Sequence, residues 1–165
     1  MSGEQFLIWN ARGLNSQARR IAVRDVIVLE RVSVVCLLET KVAVFSVNMI
    51  NELLGPDFDY SYLPLVGSLG VFWLDGGRDK WQTSQVAFDV FSITLCLATV
   101  DQNGDYICWL TVVYGPIDHA LKEGFLSELE GLAATYTGPW LICGDFNLIY
   151  QAQDKNNAKL NRHLM

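Results

Sequence analysis

Long apolar runs, paired cysteines, histidine and charge are all scarce in this 165-residue sequence, and each shortage excludes something. The longest unbroken apolar run is a handful of residues, whereas a membrane-spanning helix needs about 20. The four cysteines, Cys36, Cys96, Cys108 and Cys143, sit inside apolar segments without a Cys-x-x-Cys or Cys/His zinc spacing. Reduced, buried thiols are therefore expected, not a disulfide framework or a zinc site. Charged residues make up only 18% against 51% apolar, which excludes disorder over most of the length. The opening Met1-Ser2-Gly3-Glu4-Gln5 has neither a basic n-region with an apolar h-region nor an Arg- and Ser-rich transit composition. The expectation is a soluble intracellular protein, cytoplasmic or nuclear, of one domain over residues 1–150 with a polar basic tail over 151–165.

Positive charge is also short overall, with a net of −6, so binding of nucleic acid by bulk electrostatics is disfavoured. The distribution is uneven: residues 1–41 carry net +2, residues 42–154 net −11, and residues 155–165 net +3. Any contact with DNA is expected to be local and weak, along Arg12, Arg19, Arg20 and Arg24, which equally suit a solvated helix face.

What is present is a set of short buried strands with polar ends. Phe6-Leu7-Ile8-Trp9 is bounded by Asn10 and Gly13, and 32–38 is β-branched and continuous. Between them Ser16 can cap a helix over 17–31, with Ala18, Ile21, Ala22, Val26 and Leu29 near helical spacing, which makes the two strands parallel. A shorter helix over 47–54 stops at Gly55-Pro56. Beyond it the texture turns antiparallel. A strand at 69–74 closes on Asp75-Gly76-Gly77, and alternating strands at 90–100 and 106–114 flank an Asn103-Gly104 hairpin signal. A helix over 120–136 points Leu121, Phe125, Leu129 and Leu132 inward, and a last buried strand at 140–143 delivers Gly144-Asp145-Phe146-Asn147. The class is α/β with a mixed sheet.

Polar residues that a packed core does not request stand at four strand ends: Asn10, Glu39, Tyr114, and Asp145 with Asn147. Each alone reads as a cap or turn residue. Converging on one rim, two carboxylates, two amides and a phenol suit a hard cation such as Mg²⁺, which takes one or two carboxylates, several waters and a substrate phosphate. No His or Cys joins the set, so zinc does not fit.

Four ordered segments carry a resemblance. Ile8-Trp9-Asn10-Ala11-Arg12-Gly13-Leu14-Asn15, Leu37-Leu38-Glu39-Thr40-Lys41, Val112-Val113-Tyr114-Gly115-Pro116 and Gly144-Asp145-Phe146-Asn147 resemble the signature motifs of the endonuclease/exonuclease/phosphatase superfamily. They are most similar to the endonuclease domain of plant LINE-type (non-LTR) retrotransposons, and Asp154-Lys155-Asn156-Asn157 with Leu160-Asn161-Arg162 is similar to a segment found there after the last motif. The resemblance implies a deoxyribonuclease I-like two-sheet β-sandwich flanked by helices, with its site at one rim. It implies a Mg²⁺-binding role for Glu39, assisted by Asn10 and Asp145. It further implies that Tyr114 approaches the scissile phosphate, Asp145 aims or deprotonates the attacking water, and Asn147 steadies a phosphate oxygen.

The family's closing Ser-Asp-His motif does not occur within these residues: His163 follows Asn161-Arg162, and His119 sits at an expected helix start. A sandwich truncated at its carboxyl end is the expectation, with its exposed edge covered by a second copy or a protein partner. Three functional readings follow. They are a catalytically inactive, retrotransposon-derived interaction protein, a Mg²⁺-dependent endonuclease or phosphodiesterase whose missing histidine role is supplied elsewhere, and a DNA-binding remnant without cleavage.

Overall fold

The computed structural model describes residues 5–56, 58–63, 69–74, 82–101 and 104–149. In chain order the elements are β1 (Phe6–Asn10), α1 (Gln17–Leu29), β2 (Val34–Leu38), α2 (Val47–Leu53), β3 (Phe58–Leu63) and β4 (Leu69–Leu74). They continue as β5 (Gln82–Phe88), β6 (Ser92–Asp101), β7 (Gly104–Tyr114), a 3-10 turn (His119–Leu121), α3 (Lys122–Thr135) and β8 (Trp140–Asp145). Two four-stranded sheets result, ordered β1-β2-β4-β3 and β5-β6-β7-β8. This is the two-sheet α/β sandwich flanked by helices that the resemblance implied.

Each sheet contains one parallel pair, and each pair is joined through a helix. β1 runs parallel to β2 across α1, with Asn10 opposite Leu38. β7 runs parallel to β8 across α3, with Tyr114 opposite Asp145. Parallel neighbours end on the same edge of a sheet, so each pair places two carboxyl ends side by side. Antiparallel pairing completes both sheets.

β2 is buried on both faces, which explains its unbroken apolar sequence. Its alternate residues serve two cores. Val35 and Leu37 pack with Val23, Ile27, Ile50 and Leu53 under α1 and α2. Val34, Cys36 and Leu38 meet Ile93, Leu95, Leu97, Leu110 and Val112 between the sheets. A donor chain inside the second sheet fixes β8: the Trp140 indole donates to Thr111 Oγ1 at 2.9 Å, and that hydroxyl lies 2.8 Å from Thr94 Oγ1. The Glu128 carboxylate on α3 accepts from the Val90 and Phe91 amides and from Ser92 Oγ, which pins α3 over the start of β6.

Several expectations are corrected. The inward face of α1 is Val23 and Ile27, while Ile21 and Leu29 are exposed. The helix is rotated by its arginines: Arg20 pairs with Glu52 at 2.9 Å, and Arg24 donates to the Asn51 and Glu52 carbonyls on α2. Leu121 is likewise exposed, because the chain enters α3 through a 3-10 turn that shifts its phase relative to Phe125 and Leu132. β3 and β5 were not expected, and α1 ends two residues before the expected 31. Asp75-Gly76-Gly77, the Gln102-Asn103 tip and the tail from residue 150 lie outside the described residues. All four cysteines are free, Cys36 and Cys96 buried and the other two partly so. Among the described residues no helix is long and apolar enough to cross a membrane.

Candidate functional site

All five residues singled out from the sequence lie at the carboxyl ends of the two parallel pairs. Asn10 ends β1, Glu39 directly follows β2, Tyr114 ends β7, Asp145 ends β8, and Asn147 lies two residues beyond. All are partly exposed, as groups that meet a ligand must be.

The Glu39 carboxylate is the hub. Its Oε1 accepts from Asn10 Nδ2 at 2.9 Å and from the Tyr114 hydroxyl at 3.2 Å. Both donors converge on one oxygen, which leaves Oε2 without a protein donor among the described residues. Asn10 is itself aimed, since its Oδ1 accepts from the Arg12 amide at 3.2 Å. The contact between Tyr114 and Glu39 crosses from one sheet to the other. Glu39 adopts φ 51, a left-handed conformation uncommon for a non-glycine residue, and Thr40 behind it is fully buried. Non-glycine residues in such regions concentrate where the surrounding structure fixes a functional side chain.

Asp145 enters from the other pair. Its Oδ1 accepts the Asn147 backbone amide at 3.0 Å, and its carbonyl accepts the Gly115 amide at 2.7 Å. Asn147 donates through Nδ2 to the Gly115 carbonyl at 2.8 Å, which fixes the orientation of its amide and leaves the second Nδ2 hydrogen uncommitted. Two glycines make this turn possible. Gly144 has φ 128, and a Cβ there would overlap the Val113 backbone. A Cβ on Gly115 would overlap the Phe146 carbonyl. The Phe146 ring stands 6.4 Å from that of Phe125 on α3.

Electrostatics join the two halves. The Tyr114 hydroxyl is pushed up to about 12 from 10, first by its burial and then by the nearby Glu39 charge, the hydrogen bond to Glu39 and the Asp145 charge. Both carboxylates therefore face one phenol, which stays protonated and donating through the neutral range.

Two carboxylates, amide oxygens and a phenol fit a hard divalent cation that keeps several waters. No cluster of three or more His, Cys, Asp or Glu exists among the described residues, so a cage of the zinc type does not fit. His119 is exposed in the 3-10 turn, and His163 lies outside the described residues. Three of the four N-terminal arginines serve the scaffold: Arg19 donates to the Arg12 and Gly13 carbonyls, Arg20 to those of Leu14 and Asn15, and Arg24 to α2. Sequence reasoning missed Lys122, whose Nζ donates to the Asn147 carbonyl at 2.9 Å. Its signal was its spacing, three residues before Phe125 on the buried face of α3.

Known proteins share the family and the fold of this chain. Residues 7–165 match the endonuclease/exonuclease/phosphatase family. The human Nocturnin catalytic domain is similar at TM-score 0.62 and 13% identity, covering 88% of this chain and 64% of its own. TDP2 from C. elegans gives 0.59 at 14% identity, covering 95% and 50%. A family protein from Bacteroides thetaiotaomicron gives 0.57 at 14% identity, covering 88% and 62%. At these identities the likeness is one of fold, and the chain spans between half and two thirds of those chains. No curated protein matches it.

Tyr114 gives a pH prediction. Its proton is held more tightly in the folded than in the unfolded chain, so this stabilising contribution is whole below pH about 10 and is lost as pH rises toward about 12. In ultraviolet titration the absorbance gained between pH 9 and 11 should be the same in wild type and Tyr114→Phe. A loss of one tyrosine's worth of signal in the variant would contradict the hydrogen-bonded geometry.

Proposed function

The chain belongs to the endonuclease/exonuclease/phosphatase family, and on that premise we propose that its rim binds a divalent cation, Mg²⁺ in the cell, together with a phosphodiester of DNA. The observation that carries this reading is the Glu39 carboxylate, held through one oxygen by Asn10 and by Tyr114, a phenol that also feels the Asp145 charge. Glu39, with Asn10 and Asp145, would hold the cation, which when bound offsets the charge of a phosphate oxygen. The protein's own groups supply the remainder. Tyr114 directs its single hydroxyl hydrogen to Glu39 and so fixes that carboxylate for the cation, the Asp145 oxygen that Asn147 does not engage orients or deprotonates an attacking water, and the second Nδ2 hydrogen of Asn147 reaches a phosphate oxygen. DNA is favoured as the ligand because the four motifs are most similar to those of plant LINE-type retrotransposon endonucleases, which also supports an origin in such an element.

No imidazole is among the five rim groups, and a positioned proton-transfer group contributes about 10²–10⁴ in rate. We therefore expect binding with slow turnover. A fluorescent DNA duplex should bind in Mg²⁺, lose affinity in EDTA and lose its Mg²⁺ dependence in Glu39→Gln, while supercoiled plasmid incubated under the same conditions stays largely intact. Affinity indifferent to both EDTA and Glu39→Gln would refute the site. Rapid nicking abolished by Glu39→Ala or Asp145→Ala would refute slow turnover.

A second reading, association with another copy of the chain, is favoured by β8. Among the described residues β8 pairs only with β7, and Leu141 on it is exposed. Unpaired edges are templates for further strand pairing. Light scattering at micromolar concentration should then give a dimer that Leu141→Lys dissociates, and a monomeric wild type would remove this reading.

A further inference from the structure

Lys122 breaks two local rules at once. It is 8% exposed, although a buried ammonium is costly unless paired. It also occupies the first residue of α3, the end of a helix where the backbone dipole disfavours a cation. Its recorded partner is a neutral group, the Asn147 carbonyl, and the ion pair among the described residues is elsewhere, between Arg20 and Glu52. Residues that violate local preferences without a local gain tend to mark function.

The turn that Lys122 grips is the one carrying the second carboxylate. Asn147 has φ 49, and its polar groups are engaged in three directions: the amide to Asp145 Oδ1, Nδ2 to the Gly115 carbonyl, and its own carbonyl to Lys122. The first two bonds run within the turn and to the end of β7. Lys122 is the hydrogen-bonding tie from α3, a helix that also meets the turn through Phe125 against Phe146 and is anchored on the β6 side by Phe125 against Phe91 and by Glu128. We infer that Lys122 is a positioning residue of the phosphoester site: by clamping the Asn147 carbonyl it holds the left-handed turn in which Asn147 orients Asp145 and keeps an amide hydrogen free for a phosphate oxygen. This deepens the cation-and-phosphodiester reading of the rim and rests on it for its functional consequence. The clamp itself does not depend on that reading.

The test compares wild type, Lys122→Met and Lys122→Arg by thermal unfolding, by hydrogen exchange of the Asn147 backbone amide in nitrogen-15 spectra, and by Mg²⁺-dependent affinity for the fluorescent duplex. Outer partners of ligating groups are commonly worth 10–100-fold in affinity. Lys122→Met should speed Asn147 exchange and weaken Mg²⁺-dependent binding by about tenfold each, at a melting temperature close to that of wild type. Lys122→Arg, which keeps charge and donors, should restore both. Unchanged Asn147 exchange in the Met variant overturns the inference, and so does a loss that Arg fails to restore and that follows a fall in melting temperature. If wild type shows no Mg²⁺-dependent binding, the reading of the rim fails, and Asn147 exchange alone still decides the clamp. Should the Met variant not fold, the unmodified protein decides: a slowly exchanging Lys122 ammonium resonance is expected, and its absence overturns the inference.

Discussion

The hydrogen bond between the Tyr114 hydroxyl and Glu39 Oε1 is the contact on which the site's geometry depends, because it is made between sheets. A pair of groups from two sheets meets at hydrogen-bond distance only if both strands end at the same rim and level. The parallel pairs β1–β2 and β7–β8 meet that condition, since each aligns the carboxyl ends of its two strands. The helices that close these pairs, α1 and α3, lie in the chain between the paired strands, so the polar ends stay uncovered. Side chains of β2 and β7 that interlock between the sheets, Leu38 with Leu110 and Val112 among them, fix the distance that this bond requires.

The charge pattern acquires a local meaning from the same arrangement. The chain is acidic, yet two of its carboxylates act on one phenol at the rim, where a bound cation would offset their charge. The N-terminal arginines do not offset that charge broadly. Arg19 and Arg20 donate to backbone carbonyls of the segment from Arg12 to Asn15 that follows Asn10 and so brace it, while Arg20 and Arg24 tie α1 to Glu52 and the carbonyls of α2.

Of the three short runs expected to be buried, only β2 is so throughout, β1 and β8 being partly exposed. The strands that carry the site and their polar ends were nonetheless legible in the sequence, because short apolar runs leave little alternative and polar residues stand out against them. Asn10, Glu39, Tyr114, Asp145 and Asn147 all come to one rim for that reason. The face of α1 was not legible. Its apolar residues surround the helix, and the choice between Val23 with Ile27 and Ile21 with Leu29 is made by Arg20 and Arg24 reaching α2, a tertiary effect. β3 and β5 escaped because Asp59, Ser61, Gln82 and Gln85 interrupt any apolar alternation, and their pairing with β4 and β6 decides their structure. Lys122 escaped because a lysine near a helix start reads as solvated until its burial against Asn147 is seen.

Cation binding between the two parallel pairs is the claim most directly open to measurement. Crystals grown with Mn²⁺, a spectroscopically and crystallographically visible substitute for Mg²⁺, would locate it through anomalous scattering. The account predicts an anomalous peak at the rim, bonded to the Glu39 oxygen that neither Asn10 nor Tyr114 engages and absent in Glu39→Gln crystals. Mn²⁺ bound elsewhere with Glu39 untouched, or a rim peak that survives Glu39→Gln, would contradict it.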